Sequence, residues 1–549
     1  DLLHGFRLGY DAACRERDRL TSVVRSCADV DVRVVLRPTS RYRALLELAN
    51  RPEALRDGLD RDQVFDALWI EAGDRVRHAA AAHEVVDLWA GDIPLFHARP
   101  ASRDLWTSDR IRLSNLLDRP ELDRVVETIG QLGEVDRQDQ EWIVKATLAI
   151  RGATPVHRLT GTVLTTVDAV AAPPHRLLAA ACEVADRIVA TGIADGDQVS
   201  WLGLEPVDEQ RWLIMPTGAG LAHGTLGVAL FLAQAARLSG VARYAGIARR
   251  ALWSYPTLCR TLADAPHLAV AVGCGGLSGL GGMAYGLARL AALLDDPQLA
   301  ALVADVVDLA AVAAEQAPPD WRDGLAGCLA AMLAVDRELG LPAARQLARR
   351  CADLLAQLVA QAASGDLPGD FATGWSGIAY ALHRMADSTP RYTSAAVRAL
   401  ALVPTGAPTG ARPPTGDGDA GWCSGDAGLL LTAAVAGGPS EVVDRTARAV
   451  ADRPVGRDLS LCHGELGIAD VLVELAEAGH PQAVREQRRR AGLVLDAIHR
   501  YGPICGTPDA VETPGLLVGL AGIGYGLLRL GFPSQVPSML LLQGAQRGR

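Results

Sequence analysis

Two cysteines and a histidine are the residues here whose types and spacing best fit a chemical task. Cys423 lies in Trp422-Cys423-Ser424-Gly425, and 39 positions later Cys462 and His463 lie in Leu461-Cys462-His463-Gly464. Two thiols and an imidazole suit a borderline-soft divalent cation, zinc above all. Three protein ligands leave one tetrahedral position open, which is how a catalytic rather than a structural zinc is held. A thiol entering that position gives up its proton, because the metal charge replaces it. The same residues also read as two buried core thiols near helix starts, since a free cysteine behaves as a small hydrophobe. The elements that position them bear on the choice.

Seven short Gly-x-x-Gly cores recur in the second half, beginning at Gly224, Gly279, Gly324, Gly374, Gly425, Gly464 and Gly519. Their spacings are 55, 45, 50, 51, 39 and 55 residues. Each core runs into an apolar, small-residue segment that reads as a helix apolar all round, hence buried. Between these lie amphipathic, Arg-bearing stretches such as 441–450, which read as outer helices. A period of about 50 accommodates one helical hairpin, and repeats of that length mark closed or open arrays. Seven hairpins predict an all-α main domain closed into an α/α toroid. Glycine at each inner helix start lets backbones crowd. The residue before each core then points to the central cavity: His223, Ser278, Asp323, Thr373, Ser424, His463 and Val518. Cys423 and Cys462-His463 come from adjacent inner helices at one rim, as a shared metal requires.

Composition narrows the classes. The chain has 549 residues, 49% hydrophobic and 21% charged, so a large core can form and wholesale disorder is excluded. A net charge of −10 argues against a generic nucleic-acid binder. Lys145 is the only lysine. Ten cysteines without a leader-like start read as reduced thiols in a cytoplasmic protein. Leu/Ala-rich runs are repeatedly broken by Arg, Asp or Gly, so no transmembrane segment is expected. The chain starts at Asp1 inside an apolar stretch and reads as a fragment lacking its upstream part.

With Gly421-Trp-Cys-Ser-Gly, Leu461-Cys-His-Gly and Gly519-Leu-Ala-Gly-Ile-Gly-Tyr-Gly in order, residues 172–549 resemble the LanC-like cyclases of lanthipeptide biosynthesis. The resemblance implies a toroid binding one zinc through Cys423, Cys462 and His463. It also implies a precursor-peptide partner, leader plus Ser/Thr/Cys-containing core, whose Cys thiolates add to dehydroalanine or dehydrobutyrine. Such addition leaves an enolate that needs a proton at the α carbon. The family places an Asp four residues before the third core, here Asp320, and a His just before the fourth, where this chain has Thr373. With Thr373 there, the acid comes from elsewhere (water, the peptide or His223), or the enzyme is slower, or turnover is lost and binding kept. Asp320 also reads as a helix-start residue favoured by the dipole, and His223 as a structural histidine. Two other classes stay open: an impaired LanC-like peptide- or thiol-binding module, and another zinc-dependent thiol alkyltransferase on the same toroid.

The first 153 residues differ in texture and read as a partial α+β, kinase-like segment. Val30–Leu36 reads as a strand, 61–70 and 138–148 as helices. Val32 to Tyr42, then Gly91 to Phe96, resemble the C-terminal part of the dehydratase of class II (LanM-type) synthetases. That resemblance assigns phosphate elimination to an Arg and a Thr six residues apart, here Arg33 and Thr39. No Gly-rich phosphate loop and no His-Arg-Asp loop is present, so ATP and Mg2+ are expected only with the missing N-terminal part. Residues 154–173 read as a linker ahead of a toroid over 174–549, and the Pro/Gly-rich run 405–419 as a lid or as simple disorder.

Overall fold

The computed structural model describes all residues except 153–171, 209, 364, 386–388, 404–420, 439, 452–455, 457 and 546–549. Most of the expected linker and all of the expected lid therefore lie outside the described residues. The chain forms two compact units, Asp1–Val144 and Lys145–Arg549.

The first unit carries a four-stranded antiparallel sheet in sequence order: β1 (Val32–Val34), β2 (Phe96–Ala98), β3 (Leu105–Trp106) and β4 (Arg112–Leu113). Phe96, Ala98 and Leu105 of the sheet pack with Ala80 and Leu116, while Tyr42, Leu45, Phe65, Leu68 and Leu88 form a second cluster. One buried ion pair sits here: Arg37 Nε donates to Glu84 at 3.0 Å, and Tyr42 Oη donates to the same carboxylate at 2.6 Å. The strand expected over Val30–Leu36 shortens to three residues, and the helix expected over 61–70 breaks at Asp66 into Gly58–Phe65 and Ala67–Ile70.

The second unit is the α/α toroid. Seven inner helices are present among the described residues: α1 (Thr225–Ser239), α2 (Leu280–Leu294), α3 (Leu325–Leu339), α4 (Trp375–His383), α5 (Asp426–Val435), α6 (Glu465–Glu477) and α7 (Leu520–Gly531). Each packs on the next, and α7 packs on α1, so the ring closes. Each of α1 to α6 also packs on an outer helix that follows it in the chain. The seventh, α7, is served instead by the unit's first helix, Pro174–Ala190. The first and last helices of the toroid are thereby buttoned together. The outer helix Pro297–Ala313 and the short turn after it are long and apolar enough to cross a membrane by length and composition, but the helix packs between α2 and the outer helix Pro342–Gln361.

The first glycine of every core is the N-cap of its inner helix. The crowding that demands glycine is mainly against the loop just before it. A Cβ on Gly327 would lie 1.9 Å from the Trp321 carbonyl oxygen and 2.6 Å from Gly276 N in the neighbouring loop. Both obstacles are backbone, so Gly327→Ala is expected to cost ~3 kcal/mol, read as a lowered midpoint in chemical denaturation.

Candidate metal centre

The seven loops ahead of the inner helices are joined head to tail by backbone hydrogen bonds. In each, the acceptor is the carbonyl two places before the first glycine. Ala222 N donates to Leu277 O, Leu277 N to Arg322 O, Arg322 N to Ala372 O, and Ala372 N to Cys423 O. Cys423 N donates to Cys462 O at 3.3 Å, Cys462 N to Leu517 O, and Leu517 N to Ala222 O, which completes the circle. The two cysteines thus hold equivalent places on adjacent loops, and the ring of amides fixes their spacing. Cys423 and Cys462 are 2% and 8% exposed. With His463 they form a cluster whose ligand atoms all lie within 4.8 Å of one another.

Aromatic packing stiffens the neighbouring arc. Phe371 lies 5.0 Å from Trp321 and 5.1 Å from Trp422, centroid to centroid, and Tyr380 touches both Trp321 and Phe371. Each of these rings except Tyr380 stands one place before a residue of the amide circle, so the apolar anchor sets the loop's height.

Asp320 is buried, and its Oδ1 accepts from Asp323 N at 2.7 Å. Burial pushes its carboxyl above the usual range, and the charge of Asp323 adds to this against the bond from the Asp323 amide. Asp370 occupies the same place in the next loop, accepting from Thr373 N at 2.8 Å and from Thr373 Oγ1 at 3.0 Å. The turn-forming role therefore belongs to both aspartates. Arg322, on the third loop, donates through Nε to Asp323 at 2.9 Å. Burial, with Arg322 adding to it, pushes His223 down to about 4, so this imidazole is neutral at pH 7.

In the first unit Arg33 lies on β1 opposite His97 of β2, and Thr39 is the first residue of helix Thr39–Ala49. Both are exposed. Neither side chain makes a hydrogen bond among the described residues, and none joins them.

Residues 215–541 match the profile of the lanthionine synthetase C-like proteins. The chain belongs to the lanthionine synthetase C-like family. Residues 1–99 match a domain of unknown function, DUF4135. A domain of this kind ahead of a lanthionine synthetase C-like domain is the arrangement of LanM-type lanthipeptide synthetases. Among solved structures, nisin cyclase is 15% identical with a TM-score of 0.45, over 67% of this chain and 97% of that one. An unsaturated glucuronyl hydrolase specific for heparin is 12% identical with a TM-score of 0.37, over 65% of this chain and 97% of that one. No curated protein matches this sequence.

Within this lanthionine synthetase C-like domain, two residues beside the cluster, Gly506 and Asp458, and Arg322 on the third loop escape sequence reasoning. Gly506 backs onto His463: a Cβ there would lie 2.8 Å from His463 Nε2 and 2.8 Å from Ser460 Oγ. Asp458, 5% exposed, stands with Oδ2 3.9 Å from the same nitrogen. Arg322 carries a signal in hindsight, since it occupies the register of Cys423 and Cys462 in its own repeat.

Proposed function

We propose that the second unit is a zinc-dependent lanthipeptide cyclase, joining cysteine thiols of a precursor peptide to its dehydrated Ser and Thr residues. The observation that carries this reading is the cluster of Cys423, Cys462 and His463. Ligand atoms each about 2.0–2.3 Å from one ion stand up to about 4 Å apart, so a cluster spaced within 4.8 Å needs to close by less than an ångström. Cys423, Cys462 and His463 would hold the ion. Bound there, zinc would supply the charge that lets a substrate thiol act as thiolate near neutral pH.

The chain's own residues then manage the proton. Addition of R–S–H across the alkene makes one C–S and one C–H bond, and the proton reaches the α carbon. Asp320, with a carboxyl raised by burial, is the group suited to hold that proton, whereas neutral His223 is not a cationic acid. Asp320→Asn is expected to slow ring closure about a hundredfold or more while leaving zinc content unchanged. An unchanged single-turnover rate would remove Asp320 from the scheme. The hydroxyl of Thr373 is tied to Asp370, which favours a second reading in which the domain binds peptide but turns over poorly.

The test is purified protein with a pre-dehydrated, cysteine-containing peptide, assayed for loss of free thiol with and without chelator. Zinc-dependent thiol loss supports the cyclase. Tight peptide binding with persistent thiols supports the binding module. For the first unit the proposal is the C-terminal part of a dehydratase, with Arg33 and Thr39 on its phosphate-elimination side. The guanidinium suits a departing phosphate.

A further inference from the structure

A histidine that binds a metal through one ring nitrogen is usually held by a hydrogen-bond partner at the other, which fixes both tautomer and ring orientation. The surroundings of His463 place a buried carboxylate on one side, at ion-pair rather than hydrogen-bond distance. Asp458 is buried, and its Oδ1 is fixed by the backbone N–H of Ser460 at 2.8 Å. Its main-chain carbonyl accepts from Glu465 N at 3.1 Å, which locks the residue to the first turn of α6. Its remaining oxygen, Oδ2, faces His463 Nε2 at 3.9 Å. The segment around Gly506 forms the adjoining wall. It is held by the bond from Leu459 N to Ile504 O at 2.9 Å and by that from Gly506 N to Val518 O at 2.8 Å. The absence of a side chain at 506 is what leaves room for the imidazole.

From this geometry we propose that Asp458 is the positioning residue of the centre: it holds His463 at Nε2, against the wall made by Gly506, so that Nδ1 is the nitrogen offered to the ion beside the two thiols. The proposal rests on the zinc reading above and extends it from the three ligands to the group that aims one of them. A buried carboxylate also adds negative charge beside the site, which favours a dication over a vacant cluster.

The experiment is zinc affinity of the full chain, measured by competition with a chromophoric chelator. It is done for the parent, Asp458→Asn, His463→Ala and the double variant, with the d–d bands of the cobalt-loaded forms as a second readout. Asp458→Asn is expected to weaken zinc binding roughly ten- to hundredfold and to shift the cobalt bands. The double variant should bind no more weakly than His463→Ala alone, because Asp458 acts through that ring. Affinity unchanged in Asp458→Asn, or losses that add fully in the double variant, overturns the proposal. Gly506→Ala carries the same cycle if Asp458→Asn does not fold, since its methyl meets Nε2 from the other wall. Cys423→Ala separates the two claims. If it binds zinc like the parent, the metal centre itself is elsewhere. If it loses zinc while Asp458→Asn does not, only the positioning role fails.

Discussion

Cys462→Ala protein is expected to emerge from purification without stoichiometric zinc and to leave the thiols of a pre-dehydrated peptide unreacted. The effect should be large for two separate reasons. A free cysteine of pKa ~8.5 is only a few per cent thiolate at pH 7, so losing the ion costs about thirtyfold in nucleophile alone. Losing the anchor that sets the sulfur beside the alkene removes an effective-concentration advantage as well, and the combined loss should exceed about a thousandfold. The fold should survive. Residue 462 keeps its place in the amide circle through main-chain atoms, donating to Leu517 O and accepting from Cys423 N. Elemental analysis, circular dichroism and thiol titration of the same preparation check all three statements. Retained zinc together with parental thiol loss would sink the assignment of Cys462.

The second large effect concerns stability. Arg529 of α7 is 2% exposed. Its Nε donates to Asp470 Oδ1 at 3.1 Å, and its Nη1 donates to Pro533 O at 2.6 Å and Val536 O at 3.0 Å. Glu474 and Glu477 of the neighbouring α6 complete the guanidinium's ion pairs, the latter at 3.5 Å. Asp470 in turn accepts from Ser538 Oγ at 2.6 Å. Arg529→Met keeps most of the volume but leaves three carboxylates and two carbonyls facing a thioether. Breaking a buried pair from one side typically costs 3–5 kcal/mol, and a loss of about that size is expected in urea unfolding. Zinc content of the folded fraction should be unchanged. A midpoint equal to the parent's would overturn this account of the buried pair.

The sequence made the seven-hairpin architecture legible because its glycines are demanded by backbone contact. At Gly522, for instance, a Cβ would lie 1.8 Å from Leu516 O. Such positions tolerate no alternative, so they stand out as a period without any comparison between chains. The inner helices were equally plain, being apolar on every face. The pairing of Cys423 with Cys462 followed from adjacency of the fifth and sixth repeats. Less legible were contacts set by shape rather than by period. Nothing in the spacing of Asp458 or Gly506 announces that both border one imidazole, since residue 506 belongs to a loop more than forty positions downstream. Strand Val30–Leu36 was overestimated because an alternating apolar run says nothing about how few partner residues pair with it. Asp320 and Asp370 look alike in register, and only burial singles out the first.

The stretch from Pro533 to Ala545 has a consequence for how a peptide is handled. Leu540, Leu541 and Leu542 are fully enclosed. The segment is tied to Tyr285, Trp321, Arg384, Glu474 and Tyr525, side chains on α2, the third loop, the C-cap of α4, α6 and α7. Leu542 reaches up as far as Gly276 beneath the loop circle. The segment thus crosses the ring from side to side, and on the cyclase reading proposed above a peptide would not be drawn through it like thread through a bead. It would dip in as a bend and back out the way it came, so under that reading a chain with several crosslinks to install would revisit the same doorway once for each.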